Sequence, residues 1–332
     1  MDKRIRTIIF VLFTALIVAS SGCLGKPKES KLPSDAAFVG GTSGVGIEFL
    51  PDQPPSVVFA SQPFQISVKV ENKGEGYLRD LRTLPSTIST TPTADAVYGY
   101  VSIAGVDPAR FGLQEVQELR DFLTPVTKIG ADLIPGGQTQ LVFPATAPSI
   151  TGAAATFPLQ VIILYSYTSE AVAGVCLKEN LYQQTLSGTE ICKLTGTKPV
   201  ESAGAPVKVT SVDELPTGFN IRIKNTGGGY PFIFRAGDPS TFPQTEGKID
   251  RFNQRDRVRI ASVILGETEL RCSPPDDPVH GGKSLFLVNN EASFFCPATL
   301  GVGREFVDQL TINLEYGYVE RAVTEIEVQS IF

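Results

Sequence analysis

The chain repeats itself, and that repeat limits the fold before any single residue does. The stretch FQISVKVENKGEGY at 64–77 returns as GFNIRIKNTGGGY at 218–230, so that Asn72, Gly74, Gly76 and Tyr77 are answered by Asn225, Gly227, Gly229 and Tyr230. The stretch FPLQVIILYSYTSEAV at 157–172 returns as VDQLTINLEYGYVERAV at 307–323. This aligns Leu159, Val161, Ile163, Tyr165 and Tyr167 with Leu310, Ile312, Leu314, Tyr316 and Tyr318. Phe143, Pro144, Ala145 and Thr146 are echoed by Phe295, Cys296, Pro297, Ala298 and Thr299. Three echoes in the same order mark two copies of one structural unit.

Each copy reads as β-structure. Phe64, Ile66, Val68 and Val70 alternate with Gln65, Ser67, Lys69 and Glu71, the period of a strand with one buried and one wet face. The run ends in Asn72, Lys73, Gly74, Glu75 and Gly76, residues suited to a turn. Further strands are expected at 97–104, 139–143, 157–167 and 323–328. One stretch breaks the pattern: Asp107 suits an N-cap, Pro108 the first helical position, and Val116, Leu119, Phe122 and Leu123 recur at helical steps. The expected fold class is therefore all-β, two tandem Ig-like β-sandwich domains, the first with one amphipathic helix inserted at 107–123. That helix is expected to cover Ile162 and Leu164, which occupy the strand face where the second copy has Asn313 and Glu315. Domain 1 spans 43–177, a linker 178–205, and domain 2 206–332.

The motif of an alternating strand running into Asn, any residue, Gly resembles Ig-like surface modules of archaea and bacteria, the CARDB-related domains. The resemblance implies a surface-exposed binding or spacer module and brings no catalytic residues with it. Upstream, Lys3, Arg4 and Arg6 precede an apolar run from Ile8 to Ala19, and Ser20, Ser21, Gly22 and Cys23 close it. This segment resembles the lipobox of prokaryotic lipoproteins, in the form seen at many archaeal lipoprotein starts. It implies a signal peptide at 1–22 and lipidation of Cys23. An uncleaved leader acting as an anchor is the alternative. Residues 23–42 then form a flexible tether, whose root-mean-square reach is about 25 Å.

Charge and cysteine usage narrow the function. Lys and Arg number 29 against 35 acids, and removing 1–22 takes three bases and one acid, leaving 26 against 34. An acidic chain of this kind excludes nucleic acid as an expected partner. Beyond Cys23 there remain Cys176, Cys192, Cys272 and Cys296, an even number in an exported chain. Three pairings are open, and the sequence-local ones, Cys176 with Cys192 and Cys272 with Cys296, are preferred. A four-cysteine zinc site would need at least one closely spaced ligand pair, which these spacings lack.

Reactive constellations are few. One His, no Trp and one Met are present, and no nucleophile elbow, zincin helix, Walker loop or EF-hand occurs. No cofactor is expected. Asp276, Asp277 and His280 are a candidate metal set, although Pro274, Pro275, Pro278, Gly281 and Gly282 around them also describe an exposed loop tip. The tyrosine couplets could stack on sugars, but they continue the apolar alternation of their strands and read as core. The insertion at 235–256, with Arg251, Arg255, Asp250 and Asp256, reads as a solvated loop, and 83–95 as an exposed one.

These observations lead to a non-enzymatic, lipid-anchored protein on the outer side of the cell membrane, binding a surface protein or glycan or acting in adhesion or as a scaffold. The alternative is a subunit of a pilus-like or envelope assembly that uses exposed strand edges, with Ile331 and Phe332 as a possible contact. A glycan-active enzyme ranks below both.

Overall fold

The computed structural model describes residues 36–82, 95–178, 192–235, 238–274, 276–277, 279, 281–300, 303 and 305–331. The first copy forms β1 (Val45–Phe49), β2 (Val57–Phe59), β3 (Pro63–Asn72), β4 (Gly99–Ala104), β5 (Val116–Leu119), β6 (Thr127–Ile129), β7 (Asp132–Ile134), β8 (Gln138–Thr146) and β9 (Ala154–Leu177). Two short strands follow, β10 (Gly196–Lys198) and β11 (Val200–Ser202). The second copy forms β12 (Val207–Leu215), β13 (Gly218–Asn225), β14 (Tyr230–Phe232), β15 (Arg257–Leu265), β16 (Thr268–Glu269), β17 (Lys283–Phe286), β18 (Glu291–Pro297) and β19 (Phe306–Gln329). The chain is all-β and sandwich-like. Its two disulfides are the sequence-local ones, Cys176–Cys192 and Cys272–Cys296.

The two copies meet in one sheet. β9 and β19 pair antiparallel over 24 residues each, from Ala154 opposite Gln329 to Leu177 opposite Phe306. Tyr165 faces Tyr318 and Tyr167 faces Tyr316. The pair Ser166 and Gly317 therefore lies at the centre of a local two-fold that exchanges the copies. The ribbon extends on one side through β4 and β5 and on the other through β15 and β16. Two smaller sheets, β1-β3-β8 and β10-β12-β13-β18, belong one to each copy.

The inner face of the shared sheet carries the repeated apolar residues. Leu159, Val161 and Ile163 of β9 and Leu310, Ile312 and Leu314 of β19 share one core with Ile66, Val68, Phe143, Ile221, Ile223 and Phe294 of the smaller sheets. Equivalent positions are held in the same way. The Asn72 amide donates to Gly76 O at 3.0 Å while its oxygen accepts from Gly74 N at 3.2 Å. Tyr167 Oη accepts from Gly76 N and donates to Asn72 Oδ1, both at 3.0 Å. Asn225, Gly227, Gly229 and Tyr318 repeat the arrangement, with distances of 2.9, 3.3, 3.0 and 3.0 Å. The repeated Asn-x-Gly-x-Gly motif is thus a loop clasped flat against a buried tyrosine.

Four expectations are corrected. The helix at 107–123 is one turn, α1 (Pro108–Phe111), with the Asp107 carboxylate accepting from Ala109 N at 3.0 Å. Gly112 ends it in the left-handed region at φ 60°, and the following residues extend into β5 against β4. Val116 and Leu119 fit a helical step, but as neighbours of β4 they continue a sheet, where backbone pairing is already on offer. Nor does this segment alone cover Ile162 and Leu164. Their cover comes largely from the second copy, Phe232, Phe234, Phe242 and Ile249, beside Leu81, Val97 and Tyr100 of the first. The insertion at 235–256 is therefore not simply solvated, since its Phe242 and Ile249 are buried. The end of the expected tether is also held: Val39 N and Gly40 N donate to the Glu75 carboxylate at 2.7 and 2.8 Å, and Ala37 N donates to Glu201. Cys23 and the loop at 83–94 lie outside the described residues.

A Cβ at Gly76 would sit 1.9 Å from Thr168 O, and one at Gly229 1.7 Å from Val319 O. Gly76→Ala and Gly229→Ala should each lower stability by about 3 kcal/mol, because the clashing atom is backbone and cannot turn away. Gly247→Ala, with open space around it, should stay within about 0.5 kcal/mol. Urea unfolding of the three variants measures the difference.

Candidate functional site

Four tyrosines fill the centre of the shared sheet. Tyr165, Tyr167, Tyr316 and Tyr318 are fully buried, with ring centroids 5.6 to 6.2 Å apart. Tyr165 Oη accepts from Val45 N at 3.1 Å and Tyr316 Oη from Val207 N at 3.3 Å. Burial pushes all four phenols above their ordinary value, most strongly through loss of solvation. These rings are core, and their faces are not offered to a ligand.

The outer face of the same sheet is where the copies part. Tyr100 of β4 faces Leu164 of β9, while at the equivalent position Arg259 of β15 faces Glu315 of β19. Phe232 lies opposite Gly317, and its counterpart Arg79 is bonded to Ser166 Oγ. One side of the local two-fold thus carries Tyr100, Leu164 and Phe232, the other Arg259, Glu315 and Arg79. Glu315 Oε1 accepts from Arg79 Nη1 at 2.7 Å, and Oε2 accepts from Arg259 Nη1 at 3.0 Å. Arg259 also donates to Gly281 O at 3.1 Å and to Phe234 O. On the apolar side Gly317 is required, because a Cβ there would lie 2.3 Å from the Phe232 ring.

The apolar side ends in a groove. A cleft of about 470 Å³ is floored by Ser102, Gln160 and Ile162 of the first copy and walled by Tyr230, Glu246 and Arg251 of the second. A second cleft, of about 450 Å³, is lined by Gly229, Asn289, Asn290 and Arg321. The two share Tyr230 and Arg255. The Arg255 guanidinium lies 4.0 Å above the Tyr230 ring centre, a cation–π contact. Tyr230 Oη donates to Glu246 Oε1 at 2.9 Å, and Arg321 Nη2 reaches the same oxygen at 2.6 Å. Burial, then the Glu246 carboxylate, holds the Tyr230 phenol well above its ordinary value. Guanidinium donors and amides are groups that grip a polar ligand by hydrogen bonding, while the buried Tyr230 ring backs Arg255. In the sequence Arg251 and Arg255 read as part of a solvated loop, and Tyr230 as the end of the repeat motif. The groove that unites them depends on the first copy's floor.

Of the sequence-predicted metal set, the structure describes Asp276 and Asp277. Asp277 Oδ1 accepts from Val279 N and Oδ2 from Ser284 Oγ, both at 2.8 Å, so its carboxylate closes its own loop. Asp276 is exposed, and His280 lies outside the described residues. Among those residues, one close group of metal-type side chains occurs, Cys176, Cys192 and Glu305, and its sulfurs are joined in a disulfide. No described helix is long and apolar enough to cross a membrane.

No family model matches the chain, and no curated protein does. Among solved structures it is similar to Escherichia coli alpha-2-macroglobulin activated by porcine elastase, at 8% identity, covering 87% of this chain and 33% of that one, with a TM-score of 0.09. The chain spans about a third of that protein's length, and a likeness of this size carries no argument.

Two outcomes follow from the buried groups. Below about pH 10 the four central tyrosines are protonated in both states; above it the unfolded phenols ionise first, so stability falls by up to about 1.4 kcal/mol per pH unit per tyrosine. The urea midpoint should therefore drop steeply through the alkaline range, and less steeply in Tyr165→Phe. Glu315→Leu leaves two inward-facing guanidinium groups without the carboxylate between them and should cost about 3 kcal/mol or more, whereas exposed Arg251→Ala should be near neutral. Thermal melts at neutral pH compare the last two.

Proposed function

We propose that the chain is a prokaryotic, archaeal-type lipoprotein whose two CARDB-related, Ig-like halves stand on the outer face of the cell membrane and act without catalysis as a binding, adhesion or scaffold module. The observation that carries this reading is the groove around Tyr230 and Arg255, set in a body cross-linked by two disulfides. Disulfides persist in oxidising compartments, which suits export through the leader that ends at Cys23. The shared ribbon gives the groove a stiff base, so a surface protein or glycan would meet preformed donors.

An envelope-assembly role is the second reading, and one edge favours it. β18 is shielded where Ser273 bonds both Phe295 N and Phe295 O. Its counterpart β8 is the outer strand of its sheet, with Gln117 Nε2 reaching Val142 O. A partner strand could add at β8.

Mass spectrometry of the protein from native membranes should show a diacylglyceryl-type mass on Cys23, and Cys23→Ser should move the protein out of the membrane fraction. Cross-linking followed by pull-down should recover a surface protein or glycan with the native chain and at least tenfold less of it with the double variant Tyr230→Ala, Arg255→Ala. Undiminished capture by the double variant would exclude the groove. Loss of capture on adding charge at Val142 would instead favour the edge.

A further inference from the structure

The ribbon β6–β7 is the part of the body that internal packing explains least. Thr127, Lys128 and Ile129 pair with Ile134, Leu133 and Asp132 around a turn at Gly130, and the two strands form a sheet of their own. A lone two-stranded ribbon is marginal in water. This one nevertheless exposes Ile129 at 61%, Leu133 at 51% and Ile134 at 47%. The register puts Ile129 and Ile134 on one face and Leu133 with Lys128 on the other. Laying one face on the protein would leave the other wet, whereas edge-on entry into an apolar medium covers both.

The position of the ribbon bears on what that medium is. Lys128 Nζ donates to Ala36 O at 3.2 Å, so the ribbon stands where the chain from the leader joins the body. Ala36 follows Cys23 by 13 residues, a stretch that extends at most about 45 Å. A lipid on Cys23 would hold Ala36, where Lys128 of the ribbon meets the chain, within about that distance of the bilayer surface. The same stretch carries Lys26, Lys28 and Lys31 against Glu29 and Asp35.

We propose that the tip of β6–β7, through Ile129, Leu133 and Ile134, enters the interfacial layer of the membrane that receives the lipid on Cys23 and is the second membrane contact of the protein. Asp132, beside the turn, limits entry to headgroup depth, because a carboxylate is expensive in hydrocarbon. The inference rests on the lipid-anchor reading, and it fixes how the body stands: the entry point of the chain faces the bilayer.

The chain has no Trp, so Leu133→Trp is a clean reporter, with Phe252→Trp, at a side chain 85% exposed in the second copy, as comparison. Full-length protein purified from membranes is placed in phosphatidylcholine–phosphatidylglycerol vesicles with and without brominated acyl chains. Emission of L133W should shift to the blue and fall at least twofold with brominated lipid, while F252W should keep its emission in water. Unquenched L133W on vesicles that carry lipidated protein would overturn the ribbon contact and leave the anchor standing. Quenched L133W without a lipid mass on Cys23 would do the reverse. A blue shift that follows protein concentration in the absence of vesicles would assign the patch to a second copy and also overturn the proposal.

Discussion

The antiparallel pairing of β9 with β19 is the contact on which the other layers of this protein depend. It places Tyr165, Tyr167, Tyr316 and Tyr318 side by side about the pair Ser166 and Gly317, and each phenol oxygen then finds a backbone N–H of its own or the neighbouring layer. Buried hydroxyls without partners would cost more than their rings gain. The ribbon and the two glycine clasps are therefore one device. The sheet supplies the tyrosines, and the loops at Gly76 and Gly229, with the first residues of β1 and β12, supply the donors that let them stay dry.

Local periodicity made much of this visible beforehand. Alternation at Phe64, Ile66, Val68 and Val70 and at Leu159, Val161 and Ile163 predicted strands whose inward faces are the observed core. The even cysteine count predicted two disulfides, and the pairing found is the sequence-local one preferred among the three left open. Asp107 and Pro108 predicted a helix start correctly and its length wrongly, because Val116 and Leu119 satisfy a helical step and β5 alike until β4 is placed beside them.

What the sequence hid depends on residues far apart along it. Glu315 reads as a polar position on a wet face, yet it is buried because Arg79, 236 residues away, reaches it. Phe242 and Ile249 are isolated apolar residues in a polar insertion, and they are buried because Ile162 and Leu164 of the other copy present a surface to cover. Neither partnership leaves a trace in a window of ten or twenty residues. The groove was hidden for the same reason: its floor and its wall come from different copies.

The duplication itself explains how such a groove can exist. Two identical halves paired about a true two-fold must carry the same outer face twice, so an insertion covering one face would also cover the other. In a single chain the halves can diverge while the inner face and its tyrosines are kept. Here Leu164, Tyr100 and Phe232 on one side are replaced by Glu315, Arg259 and Arg79 on the other, and the insertion seats on the apolar side. The ion triad meets its charges with one another and gives that insertion no apolar seat, whereas the apolar trio accepts it and ends in the open cleft beside Tyr230. Symmetry in the core with asymmetry on the outer face is what makes the cleft beside Tyr230 differ in lining from the cleft at Tyr77, Ser262 and Asn313 on the other side of the two-fold.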